Sequence, residues 1–147
     1  MKIVNKKALF NYEVLERFES GIVLTGSEVK SLKDNRCNLG DSYVKILSNE
    51  AWLVNADIPK YQFDGSQEYD SKRSRKLLLK RKEIVYFENK MKQGNLTLIP
   101  LSVYSKGRMI KVEIGLARGK KRYEKKLQEK QRELDRELLL EKRKYMI

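Results

Sequence analysis

The chain has 147 residues with 33 Lys and Arg against 20 Asp and Glu, a net charge of +13; this points to a polyanion, and with no apolar run of membrane-spanning length it favours nucleic acid over lipid. It contains no His and one cysteine, Cys37, which removes the commonest general base, a Cys-His nucleophile, a zinc site and a disulfide. There is no P-loop, and Gly21 and Gly26 of SGIVLTG are wrongly spaced for a dinucleotide fingerprint, so a binding protein without metal, cofactor or catalysis is expected.

Residues 1–8, with Lys2, Lys6 and Lys7, read as a loose basic lead-in too poor in apolar residues for a signal peptide. A cytoplasmic location follows, and the unpaired cysteine suits a reducing compartment. From Tyr12, YEVLERFESGIVL reads as one long strand with a bulge or bend at Gly21. Thr25-Gly26-Ser27 turns the chain, and Ser27 is the expected N-cap of a short helix in which Val29 and Leu32 share a face before Asp34-Asn35 ends it. DSYVKIL and AWLVNADI, joined by Ser48-Asn49-Glu50, predict a hairpin with Tyr43 and Trp52 giving bulk to the sheet and Pro59 closing the second strand.

Residues 59–74 are polar, rich in turn formers and basic at their end, and predict a loop. Leu77, Ile84, Phe87 and Met91 then recur at helical spacing; a helix is expected from about Lys80, stopped by Gly94. After it, NLTLIPLSVYSKGRMIKVEIGLAR predicts a second hairpin turning at Lys106-Gly107, with Pro100 at a bulge or edge and Leu96, Leu98, Leu101, Val103, Ile110, Val112 and Ile114 on the inner face. The whole reads as mainly β within the α+β class: an antiparallel barrel of OB type with two or three short helices, an α+β sandwich being the alternative.

Residues 119–147 carry eleven Lys and Arg against six Asp and Glu. Tyr123, Leu127, Leu134, Leu138 and Tyr145 form one thin helical stripe, whereas Lys121 and Lys125, Arg122 and Lys126, and Arg132 and Arg136 are like charges at i,i+4. Such a segment is expected to stay largely unfolded until an anionic or structured partner receives it. A solvated terminal helix or half of a coiled coil is the plain alternative. Basic residues clustered at its root, around Tyr123, favour RNA, because cations meet phosphate and an exposed ring stacks on bases. Residues 1–118 are thus read as one RNA-binding domain and 119–147 as its tail.

The strings FESGIVLTGSEVKSLKDNRCNLGDSYVKI, RKLLLKRKEI and LSVYSKGRMIKVEIGLARGKKRYEKK, in register from about Asn5, together resemble the SmpB family of SsrA-binding proteins, partners of transfer-messenger RNA (tmRNA). The resemblance implies an OB-type barrel that holds the tRNA-like domain of tmRNA and stands in for a missing anticodon arm. It further implies a role in rescuing ribosomes stalled on messages without a stop codon, and a tail that enters the decoding centre and vacant message channel and becomes helical there. The family's tmRNA contacts fall on Glu19, Leu78 and Lys111, with Asn38, Arg75 and Lys76 counted beside them. Its ribosome-binding tail begins here with Gly119, Lys120, Lys121, Tyr123, Glu124, Lys125 and Lys126. No membrane partner is implied, and the free protein is expected to be a monomer. The segment Glu68-Tyr69-Asp70-Ser71 departs from the family's usual His-Asp-Pro, leaving Tyr69 to stack where an imidazole would.

Overall fold

The computed structural model describes residues 1–65, 68–120 and 122–145, with side chains in the last helix from 125 to 140. It is mainly an antiparallel sheet with four helices. Seven strands, β1 (Lys2–Val4), β2 (Tyr12–Ile22), β3 (Tyr43–Leu47), β4 (Glu50–Val54), β5 (Arg75–Leu78), β6 (Thr97–Lys106) and β7 (Met109–Gly119), lie in the order β1-β6-β3-β4-β5-β2-β7. Because β6 also pairs with β7, the pairing runs in a circuit from β6 back to β6, with β1 on its outside edge. Two seams of that circuit are thin: β3 meets β6 at Val44 and Leu98, and β2 meets β5 at Gly21 with Leu78 and Ile22 with Leu77.

Period-two alternation sends one side of each strand inward. Phe18, Val44, Leu53, Leu77, Leu98, Val103, Val112, Ile114 and Leu116 meet there, closed by Leu32 of α2 (Gly26–Lys33) and Phe87 of α3 (Arg81–Lys92). Phe87 stands edge-on to Phe18, ring centroids 4.6 Å apart. The register shift between Pro100 and Ser102 explains how Leu98 and Val103, an odd number apart, both face this core. Ile99 and Leu101 instead join Ala8 and Ala117 in a second cluster under α1 (Lys6–Asn11). Leu101, expected on the main inner face, therefore belongs to the smaller core.

Several local expectations shift along the chain. The irregularity of β2 lies between Val14 and Glu16, where Leu15 is extra; at Gly21 the pairing continues on both sides. Thr25, not Ser27, caps α2: its side chain accepts from the Glu28 amide while Glu28 accepts from the Thr25 amide, a reciprocal capping box. Ser48 and Asn49 both have positive φ and make a two-residue turn between β3 and β4. On that hairpin Tyr43 is exposed and Trp52 half-buried, while Val44, Ala51 and Leu53 are the buried residues. Leu77 lies on β5, not on the helix that follows it. Gly94, with φ +91°, follows the Gln93 C-cap of α3 as expected.

The N-terminus is no loose lead-in. Asn5 is buried: its Oδ1 accepts from the Ala8 amide at 3.1 Å, capping α1, and its Nδ2 donates to Pro100 O at 2.8 Å and Leu39 O at 3.1 Å. One polar side chain thus ties three segments together and satisfies backbone groups that burial would otherwise strand. A fourth helix, α4 (Arg122–Tyr145), carries the basic tail.

Candidate nucleic-acid interface

Three of the expected RNA-contacting residues come from three different strands and meet on one outward face. Glu19 and Gly21 are two apart on β2 and so share a side. Gly21 is opposite Leu78 of β5 in one direction and Lys111 of β7 in the other. Residues directly opposite in a sheet project to the same side, so Glu19, Leu78 and Lys111 surround the bare backbone of Gly21. Leu78, the last residue of β5, is 54% exposed. A Cβ at Gly21 would sit 3.3 Å from Cβ and Cδ1 of Leu78, so glycine lets Leu78 lean across β2 as an apolar platform among charges. Beside it a groove of about 380 Å³ is lined by Lys76, Leu78, Arg81 and Glu50 among others, and the Lys76 ammonium lies 3.3 Å from the Glu50 carboxylate.

Two further residues complete the face, and the sequence reading missed both. Tyr104 of β6 is opposite Lys111, and its hydroxyl donates to Glu19 Oε2. Lys106 Nζ donates to Glu19 Oε1 at 3.2 Å. The β6–β7 register is the signal that places them: the turn is Gly107-Arg108, one residue later than the expected Lys106-Gly107, and with it fixed Tyr104 must lie beside Lys111. The Tyr104 hydroxyl first, then Lys106, holds the Glu19 carboxyl below its ordinary range. Burial and the Glu19 carboxylate push the Tyr104 phenol up to about 12, so it remains a donor at neutral pH. A solvated carboxylate is thereby aimed rather than free to rotate. Tyr104→Phe is expected to raise the titration midpoint of Glu19, followed by NMR of the side-chain carboxyl carbon. An unchanged midpoint would mean that the phenol does not hold it.

The other expected contacts lie elsewhere. Arg75 has 0% side-chain exposure: its Nε donates to Glu28 Oε2 at 2.5 Å, Nη1 to Ala56 O at 2.7 Å and Nη2 to Ser71 O at 2.9 Å. A guanidinium so enclosed cannot touch a partner's phosphate, so Arg75 braces the fold behind the face. Asn38 is exposed in the loop after α2, away from Gly21, and its Oδ1 accepts from the Gly40 amide at 2.8 Å. Tyr69 donates its hydroxyl to Ile58 O at 2.6 Å, fastening the loop to the segment after β4, which ends at Val54 and not at Pro59 as expected.

At the tail's root, Gly119 still pairs with Tyr12, and the Lys120 amide donates to Asn11 O at 2.8 Å. Lys120 Nζ donates to Leu9 O and to Gln128 of α4. Lys125 is half-buried and Lys126 exposed. The Arg132 guanidinium lies 5.6 Å from the Phe10 ring centroid, while Leu127, Leu134 and Leu138 are all exposed. Lys121 and the side chains of Tyr123 and Glu124 lie outside the described residues.

A family model described as SmpB protein matches residues 2–144. The chain belongs to the SmpB family. Among its relatives, an SsrA-binding protein of Sulfurihydrogenibium sp. (strain YO3AOP1) is 50% identical over 134 residues, 91% of this chain and 88% of that one. An SsrA-binding protein of Chlamydia pneumoniae is 49% identical over 123 residues, 84% and 82% of the two chains. Among solved structures, a chain described under "tmRNA-SmpB: a journey to the center of the bacterial ribosome" matches with a TM-score of 0.70 and 39% identity, covering 82% of this chain and 85% of that one. In SmpB-family terms, the matched span takes in the Glu19–Leu78–Lys111 face and most of the tail. Among the described residues, no helix is long and apolar enough to cross a membrane, and no group of His, Cys, Asp and Glu is placed to hold a metal ion.

Proposed function

We propose that this chain binds the tRNA-like domain of tmRNA, brings it stably to stalled ribosomes and thereby serves trans-translation in the cytoplasm, by binding and without catalysis. The observation that carries the reading is the single face on which Glu19, Leu78 and Lys111 come together around Gly21, in a chain whose relatives are SsrA-binding proteins. Each side chain has a distinct job. Lys111 meets phosphate, Leu78 packs on a base or ribose, and Glu19, aimed by Tyr104 and Lys106, accepts from base amino groups or a ribose hydroxyl. Lys76 extends the positive edge, and Asn38 is kept as an outlying contact.

In this reading the strand circuit is an OB-type barrel spanning residues 1–118, and it takes the place of the missing anticodon arm. Residues 119–147 are the ribosome-binding tail, with Gly119, Lys120, Lys121, Tyr123, Glu124, Lys125 and Lys126 at its root directed to the decoding centre and vacant message channel. Like charges at i,i+4 weaken the free helix, so its full order is coupled to docking on ribosomal RNA. The test is Lys111→Glu, which places a negative charge on the face. It is expected to lower affinity for tmRNA at least tenfold in equilibrium binding, and affinity equal to wild type would mean that the face does not bind tmRNA.

A further inference from the structure

Phe63 is 76% exposed, more than any other large apolar residue described, and it stands on a turn that is anchored rather than loose. Pro59 O accepts from Ser31 Oγ at 2.6 Å, the Tyr61 amide donates to Ser27 Oγ at 3.2 Å, and the Asp64 amide closes the turn on Tyr61 O at 2.9 Å. The first two bonds fasten the segment to α2. Tyr61 meets Phe63 edge-on, centroids 5.4 Å apart and planes at 69°, and the Lys30 ammonium lies 5.4 Å from the Tyr61 centroid. Lys30 and Lys33 are exposed one turn apart on α2, and Lys60 precedes Tyr61.

A ring held out into water on a pinned turn has its apolar face unused. A protein-docking patch would need a contiguous apolar area, but Phe63 is flanked by Gln62 and Asp64, Lys60 precedes the ring pair in sequence, and Lys30 lies over Tyr61, the ring Phe63 packs on. An exposed ring backed by a second ring that carries a cation instead matches a nucleotide, whose base stacks while its phosphates meet ammonium groups. None of these residues lies on β2, β5 or β7, so this is a separate site. We propose that the 59–64 turn is a second RNA-contact point, at which an unpaired base stacks on Phe63 with its flanking phosphates on Lys30 and Lys60. The proposal rests on the reading of the chain as a tmRNA-binding protein working on ribosomes.

The experiment places a photoreactive azidophenylalanine at position 63 of the full chain, assembles it with tmRNA and ribosomes from the same organism, and irradiates. An adduct on RNA is expected. Adducts on ribosomal protein alone, or none, would overturn the site. For the RNA that carries the adduct, Phe63→Ala should lower affinity roughly 5- to 150-fold, the range a single base–aromatic stack supports, while Phe63→Trp should retain it. Affinity of Phe63→Ala within twofold of wild type would also overturn it. Lys111→Glu, run alongside, separates the two readings: loss of tmRNA binding there with no adduct at position 63 sinks only the second site, whereas a wild-type chain with no preference for tmRNA sinks the first.

Discussion

Arg75→Ala is expected to cost about 3 kcal/mol of folding stability, the low end of the penalty for breaking a buried ion pair, because Arg73 and the Thr25 amide still hold Glu28 Oε1. Glu28 is 1% exposed and Arg75 0%, so water cannot replace the lost guanidinium. Three connections would fail at once: the pair itself at 2.5 Å, the bond to Ala56 O and the bond to Ser71 O. Those acceptors lie on the segment that follows β4 and on the loop that leads into β5, so the damage would spread to the sheet beneath Leu78. Arg73, 2.6 Å from Glu28 Oε1 but partly exposed, would hold only one carboxylate oxygen. Chemical denaturation of the two proteins measures the difference, and a loss below about 1 kcal/mol would mean that the pair is not built as described. Glu28→Gln combined with Arg75→Met should recover part of the loss, because neither residue then leaves a buried charge.

The Glu28 carboxylate that Arg75 helps to hold sets an acid sensitivity. Burial pushes the Glu28 carboxyl up, but hydrogen bonds from Arg73, the Thr25 amide and Arg75 outweigh it and hold the carboxyl below its ordinary value. A carboxyl lowered in the folded state contributes stability that is fully present above its unfolded value, about 4.3. That contribution is lost as the pH falls from there through the folded value. In Arg75→Ala it shrinks, so the variant should lose less stability between neutral and acid pH than wild type does.

Ending the chain after Lys126 is expected to leave tmRNA affinity within about twofold and to abolish tagging of nascent chains. The cut removes most of α4, including the Arg132 guanidinium near Phe10 and the exposed Leu127, Leu134 and Leu138. It spares Gly119 on Tyr12, the Lys120 amide on Asn11 O, and every residue of the Glu19–Leu78–Lys111 face. If ordering of the tail is coupled to an empty message channel, only the ribosomal step needs the deleted residues. Tagging is scored in a reconstituted translation system on a message without a stop codon. Equal loss of binding and tagging would contradict this division of labour.

What could be read from sequence was the part governed by local chemistry. The Pro100 bulge, the stop at Gly94 and the hairpin before the tail follow from residues that act on their immediate neighbours. What could not be read depends on partners far along the chain. Arg75, in a basic string, looks like an RNA contact until Glu28, 47 residues earlier, is seen to enclose it. The N-terminal segment looks loose because nothing local shows that Asn5 reaches Pro100, 95 residues away. The face itself has the same character. Glu19, Leu78 and Lys111 were available from the family resemblance, but that they surround Gly21, and that Tyr104 and Lys106 aim Glu19, follows only from strand register.

The Glu19–Leu78–Lys111 face is expected to recognise the shape of tmRNA and to do more than attract phosphate. It is tested most directly by binding the full chain to tmRNA from its own organism, with an unstructured single strand of equal length as competitor, across a salt series. Phosphate contacts make both affinities fall as salt rises. tmRNA is expected to keep a large advantage at high salt, and Lys111→Glu to remove it. Convergence of the two ligands, with Lys111→Glu weakening both alike, would contradict the claim and leave a basic protein that binds RNA without discrimination.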